Sequence, residues 1–292
     1  MIAGICRRRR DHCMSEQINI RELTTMADLN ATVDLQRAVW GMHDAEAASP
    51  HTLRAIVHSG GAVFGAAFGD RLVGFCFGFA APRDGELWLW SHMAAVHPDF
   101  QGRGIGFRLK QAQRAWALMQ GFRWMAWTFD PMQAGNANFN FNRLGITARR
   151  YSADHYGEMQ DGLNAGLASD RLEAQWRLDA PKVIAMAAGR YQMSVADAPD
   201  SLTMLVKDKR GTLEYRPPPG RGERWCVARR HSHFGVEIPK DVADLKRNDV
   251  NRARQWQQYV RAALTELLAD GYVVSGFCRQ GDAAWYILGR DG

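Results

Sequence analysis

The residues best suited to chemistry lie together between positions 86 and 121, in ELWLWSHMAAVHPDFQGRGIGFRLKQAQRAWALMQG. Gln101-Gly102-Arg103-Gly104-Ile105-Gly106 sets a glycine at every second position, where an amphipathic stretch begins. Glycine adopts backbone conformations that a Cβ forbids and lets main chain approach a ligand closely. The first N–H groups of a helix have no partner inside it, and the helix dipole favours an anion there. The turn therefore offers main-chain amides to a diphosphate. Upstream, His92 can move a proton near neutral pH. Two familiar phosphate cradles do not fit. A dinucleotide fingerprint needs Gly-x-Gly-x-x-Gly, and a P-loop needs Gly-Lys-Ser/Thr where Phe107 follows Gly106.

Two elements must position these groups. Leu87, Leu89, Ser91 and Met93 alternate with Glu86, Trp88, Trp90 and His92, the periodicity of a strand. Unbroken alternation puts His92 on the face of Trp88 and Trp90. Pro98 has no N–H and ends the ladder. Ile105, Leu109, Ala112, Trp116 and Met119 then form a helical stripe, with Arg103, Arg108, Lys110 and Arg114 on the opposite face.

The run Val96-His97-Pro98-Asp99-Phe100-Gln101-Gly102-Arg103-Gly104-Ile105-Gly106 resembles the coenzyme A signature of the GNAT acyltransferase superfamily. The resemblance implies that the amides of Gln101, Gly102, Arg103, Gly104, Ile105 and Gly106 hold the pyrophosphate of an acyl-CoA. It also implies that the backbone of Met93, Ala94, Ala95 and Val96 pairs with the pantetheine arm. Further runs are similar to one group of predicted GNAT acetyltransferases with a C-terminal extension. These are Thr128-Phe129-Asp130-Pro131-Met132-Gln133, Asn136 to Gly145, Arg149-Arg150-Tyr151, Tyr156-Gly157 and Gly166 to Arg171.

The order of elements agrees. Strands are expected at 17–23, 62–68, 72–79, 122–129, 147–156 and 172–178, and helices at 28–40, 50–58 and 136–144. With the central strand and helix this is an α+β GNAT fold, a mixed, largely antiparallel sheet flanked by helices. Residues 14–179 form the acyl-CoA-binding domain in this reading, and 180–292 a β-rich extension with one long helix, packing on it. In the extension, strands are expected at 224–228, 234–238, 273–277 and 284–288, and one helix from Asp241 to about Ala269; 180–220 looks irregular.

Acyl transfer to an amine needs a bound thioester, a deprotonated amine and a proton for the departing thiolate. His92 is the candidate base; the alternative is a hydrogen-bonded core histidine. Some amine-acetylating GNAT enzymes resemble this chain in placing a histidine there, and many others use a glutamate where this chain has Trp90. The resemblance also implies a tyrosine acid at the position of Phe141. That role is vacant, and Tyr151, Tyr156 or water is left to fill it. Of Asn136, Asn138, Asn140 and Asn142, Asn138 is the candidate for the CoA arm, since asparagine is unfavourable mid-helix unless its amide has a partner. Arg149, Arg150 and Arg171 suit a carboxylate on the acyl group or the acceptor, or surface ion pairs. Trp88, Trp90, Trp124 and Trp127 suit core packing or an aromatic wall.

Net charge is +6, from 37 basic and 31 acidic residues. Arg7 to Arg10 lie ahead of Met14, in residues 1–13, read as a disordered tail or an upstream artefact. Without that run the basic excess is modest and gives no case for nucleic acid. No apolar run is long enough for a membrane helix. Five cysteines at wide spacing, without C-x-x-C or an export signal, fit a reducing, cytoplasmic compartment. Cys226, His231 and His233 match no zinc spacing, so no metal is expected. The expected activity is an acyl-CoA-dependent N-acyltransferase. It would transfer acetyl, with succinyl as a second option, to a small-molecule amine or amino acid by direct attack. The alternatives are a lysine acyltransferase acting on a protein and a CoA-binding module without turnover. The oligomeric state stays open, a homodimer included.

Overall fold

The computed structural model describes residues 17–41, 47–157, 166–191, 202–207, 213–216 and 233–290. The 1–13 segment, the strand expected at 224–228, and Cys226 and His231 lie outside these residues.

Strand β1 (Asn19–Glu22) leads to α1 (Met26–Trp40) and α2 (Pro50–His58). Each helix starts where its sequence caps it. Thr25 accepts from the Asp28 amide while Asp28 accepts from the Thr25 amide, a reciprocal capping box. Ser49 accepts from the Thr52 amide, and Pro50 opens α2, where its missing N–H is harmless. Next come β2 (Ala62–Phe68), β3 (Arg71–Arg83), β4 (Glu86–Val96), α3 (Ile105–Met119) and β5 (Trp124–Phe129). A short helix α4 (Ala134–Phe139) widens into a π-helical turn over Asn140–Leu144, followed by β6 (Thr147–Ser152) and β7 (Arg171–Arg177).

The later part holds α5 (Pro181–Ala187), β8 (Leu202–Lys207), β9 (Leu213–Arg216), β10 (His233–Ile238), α6 (Val242–Asn248), α7 (Val250–Ala269), β11 (Tyr272–Gln280) and β12 (Ala283–Arg290). Three elements in the stretch expected to be irregular are thus regular, α5, β8 and β9. Pro181 starts α5 as Pro50 starts α2. The single helix expected from Asp241 is two, because Asp249 takes an extended conformation (φ −157°, ψ 89°) and its side chain caps the Arg252 amide.

All strands join one 12-stranded sheet in the order β1-β2-β3-β4-β5-β7-β6-β11-β12-β10-β8-β9. Among the described strands only β4–β5 and β10–β8 pair in parallel. The α1–α2 pair covers one cluster, centred on Leu29, Leu53, Phe75 and Phe77. The cluster around Val73, Cys76 and Leu109 packs with α3. A third cluster spans both parts of the chain, with Trp176, Phe141 and Tyr286 all fully buried in it. The Trp176 indole N–H donates to the Leu144 carbonyl at 2.8 Å, which satisfies its polar atom in the core.

Candidate active site

Two strands part at the middle of the sheet. β4 and β5 pair only at Leu89–Met125 and Trp90–Ala126. Just past that point β4 carries a bulge. Ser91 faces Gly78 and Met93 faces Phe77, so His92 is an extra residue. An inserted residue bends its strand and reverses the faces beyond it. The unbroken alternation expected from the sequence is therefore wrong. Ser91 points to α3, where its hydroxyl donates to Gln113 at 2.8 Å, whereas Met93 joins the cluster under α1 and α2. A cavity of about 1490 Å3 fills the gap between the parted strands and runs to the glycine turn.

At that turn, Gly102 and Gly104 sit at φ +74° and +75°, which a side chain tolerates poorly, and a Cβ at either would meet open space. Phe100 is buried beneath, and the Gln101 side chain donates to the Val96 carbonyl at 3.1 Å, tying the loop to the end of β4. The amides of residues 102–107 have no hydrogen-bond acceptor within the described residues, the first being Arg108 to Gly104 at 3.1 Å. A row of unpaired donors thus faces an open space at the positive end of α3.

His92 keeps solvent access through the cavity, yet protein crowds it. Its ring lies 5.4 Å from that of Phe77 and 6.3 Å from that of Phe79. This partial desolvation lowers its pKa below the ordinary 6.5, so the neutral, proton-accepting form dominates at neutral pH. Behind it Lys110 is almost fully buried. Its ammonium donates to Ser91 Oγ at 2.7 Å and stands 3.9 Å from the centre of the Trp127 ring. Burial lowers it to about 8.

The wall beyond β5 carries Thr128, Asp130, Tyr156 and Arg171. Tyr156 meets Thr128 at 3.2 Å between hydroxyls, and Arg171 lies over the Tyr156 ring at 5.2 Å. Burial raises the Asp130 pKa, opposed by the Met132 amide and by the charge of Arg171. The opposite wall is Val39, Trp40, Thr52 and Ile56 of α1 and α2, with Phe77 and Phe79.

Residues 59–145 match the family model of the acetyltransferase (GNAT) domain. The chain carries a GNAT acetyltransferase domain. Searched by sequence, curated proteins contain no match to it. The chain is similar in structure to the ribosomal-protein-S18-alanine N-acetyltransferase of Escherichia coli, at 16% identity and a TM-score of 0.45, over 56% of this chain and 96% of that one. It is similar to an N-acetyltransferase of Staphylococcus aureus Mu50, at 15% identity and 0.45, over 56% and 99%. It is also similar to an aminoglycoside acetyltransferase from an uncultured soil metagenomic sample, at 19% and 0.38, over 42% and 84%.

Within the GNAT domain the cavity brings together His92, Met93, Ala94, Ala95, Val96, Gln101, Gly102, Gly104, Ile105 and Gly106. Arg103 lies outside the lining and over the Phe100 ring at 5.0 Å. Asn138 also lies outside it. Its side chain accepts from Asn142 at 3.0 Å, while Asn136 and Asn140, four apart and so on one helical face, reach the cavity. Of the tyrosines weighed for the acid role, Tyr156 lines the cavity, whereas Tyr151 donates to Asp170 at 2.5 Å. Arg171 lines the cavity; Arg149 and Arg150 do not, and turn to Thr147 and Asp84. Trp127 is a wall residue, and Trp88 stacks on Trp124 at 4.9 Å.

Sequence reasoning missed Lys110 by setting it on the polar face of α3. Lys110, Gln113 and Ala117 share one helical face and all three are buried, but the two polar residue types gave no sign of it in the sequence. Asp130, too, passed unremarked as a site residue. Among the described residues no group of three or more His, Cys, Asp or Glu could hold a metal, and no helix is long and apolar enough to cross a membrane.

Proposed function

We propose that the protein transfers an acyl group from acyl-CoA to a small-molecule amine by direct attack. The observation that carries this is the single cavity joining the unpaired amides of residues 102–107 to the parted strands. The pyrophosphate lies on those amides. The pantetheine takes the edge of β4 from Met93 to Val96, where pairing with β5 has ended. The thioester then reaches the bulge, and a β4 amide there polarises its carbonyl. An acceptor enters between the α1–α2 wall and the Asp130–Arg171 wall. His92 takes its proton, directly or through water, as the N–C bond forms. The C–S bond breaks, and the thiolate takes a proton from Tyr156 or water.

The aromatic, two-walled cavity favours a small acceptor over a protein surface, and the Asp130–Arg171 pair suits one that bears both an amine and a carboxylate. In this reading residues 14–179 carry the transfer and 180–292 support it. Arg261 of α7 grips Asp170 at 2.6 and 2.9 Å, Gln257 holds both backbone groups of Ala168, and Tyr286 donates to the Pro131 carbonyl at 2.7 Å. The extension thereby holds the acceptor wall in place. The test is thiol release from acyl-CoA with a panel of amino acids, polyamines and lysine peptides. Release with small amines is expected; release with lysine peptides alone would overturn the small-molecule reading.

A further inference from the structure

Lys110 stands where the parted strands meet. Ser91 and Trp127 each come one residue after the last β4–β5 pair, Trp90–Ala126, and the Lys110 ammonium touches both. It occupies the apex of the gap and, with Ser91 and Trp127, lines the cavity there. An ammonium has three donors, and here one meets Ser91 Oγ. No carboxylate lies within ion-pair distance among the described residues. The nearby titratable group is the buried Cys76, whose thiol is pushed up to about 12 and stays neutral. A second buried donor close by, Gln113 Nε2, has no partner, although its Oε1 accepts from Ser91. A buried charge without a counter-ion is unfavourable and is retained where something else supplies the anion.

We infer that Lys110 is the anchor for a carboxylate at the far end of the acyl chain, so that the donor is a dicarboxylic acyl-CoA such as succinyl-CoA. This rests on the proposed path of the CoA. With the thioester at the His92 bulge, the acyl chain points along the gap toward its apex. A methyl group would leave the ammonium unanswered, whereas a terminal carboxylate forms a charge-assisted hydrogen bond shielded from water.

The test is calorimetric titration of the full chain with CoA, acetyl-CoA and succinyl-CoA, which needs no acceptor. Succinyl-CoA should bind roughly tenfold to a hundredfold more tightly than acetyl-CoA, the range of a hydrogen bond to a charged group. In Lys110→Met, CoA and acetyl-CoA should bind as before and the succinyl advantage should vanish; Lys110→Gln gives the same reading should the methionine variant fail to fold. Equal binding of the two donors by the wild-type chain, or an advantage that survives both substitutions, overturns the inference. Failure of CoA itself to bind removes the proposed CoA path and this inference with it, a result distinct from loss of the preference alone.

Discussion

At two seams of the sheet the strands share very few residue pairs, Leu89–Met125 and Trp90–Ala126 at one and Val274–Ala148 at the other. Each has a one-residue bulge beside it, at His92 in β4 for the first and at both Ser275 in β11 and Arg149 in β6 for the second. Past the β6–β11 seam the protein fills the gap from within. Asn142, on the π-helical turn, donates to the Phe277 carbonyl at 2.9 Å, and the rings of Phe141, Phe277 and Tyr286 pack edge to face and tilted beside it. Past the β4–β5 seam no strand pairing bridges β4 and β5 among the described residues, and a cavity remains. The same device, a short pairing followed by a bulge, makes a sealed junction in one place and a binding site in the other. The difference lies in whether a side chain supplies the missing partner.

The strongest way to sharpen the contrast is His92→Ala. Loss of a general base should lower the rate roughly a hundred- to ten-thousandfold in acyl-transfer assays, with CoA affinity unchanged. Because desolvation lowers the His92 pKa, the limb of kcat/KM that rises with pH should level off below the ordinary 6.5. A rate unaffected by the substitution would make the bulge merely structural, like that of β11.

Lys110→Met comes next, read as stability. The native lysine titrates near 8 against an ordinary 10.5, so between these values the unfolded chain binds the proton that the native chain has lost. Stability from this group therefore rises with pH across that window, and at neutral pH the buried charge costs up to about 3 kcal/mol. The methionine variant should be more stable than wild type at pH 7 in urea unfolding, and the difference should shrink toward pH 10.5. A difference constant over that range would contradict the buried-cation account.

Gly104→Val should weaken CoA binding roughly tenfold to hundredfold, since a β-branched residue at φ +75° distorts the turn at about 1–3 kcal/mol. Asn142→Leu is the smallest. It should cost about 1 kcal/mol of stability and leave CoA binding intact. Its loss is limited because Asn142 Oδ1 already lacks a partner. Weakened CoA binding in this variant would couple the two seams.

Much of the first half of the chain was legible because local rules and tertiary structure agreed. Pro50 marked a helix start, and Gly102 and Gly104 marked a turn with positive φ. The bulge was not legible, since a strand's alternation looks unbroken until its partner is known, and Ser91 and His92 carry no composition signal of an insertion. Asn138 could have been set aside from the helical period alone, which places Asn136 and Asn140 on one face and Asn138 on another. Lys110 was misread because long cationic side chains on helices are usually solvated, and only the parted strands give this one a buried place. The break at Asp249 could have been read from Asn248-Asp249, two residues that favour caps over helix interiors.

The account stands on the unpaired amides of residues 102–107 holding a diphosphate. Calorimetry with CoA on the full chain measures this most directly. It should show one CoA per chain at about micromolar affinity, with inorganic pyrophosphate competing and Gly104→Val weakening both. No detectable heat with CoA, or binding that pyrophosphate and Gly104→Val leave untouched, would contradict it.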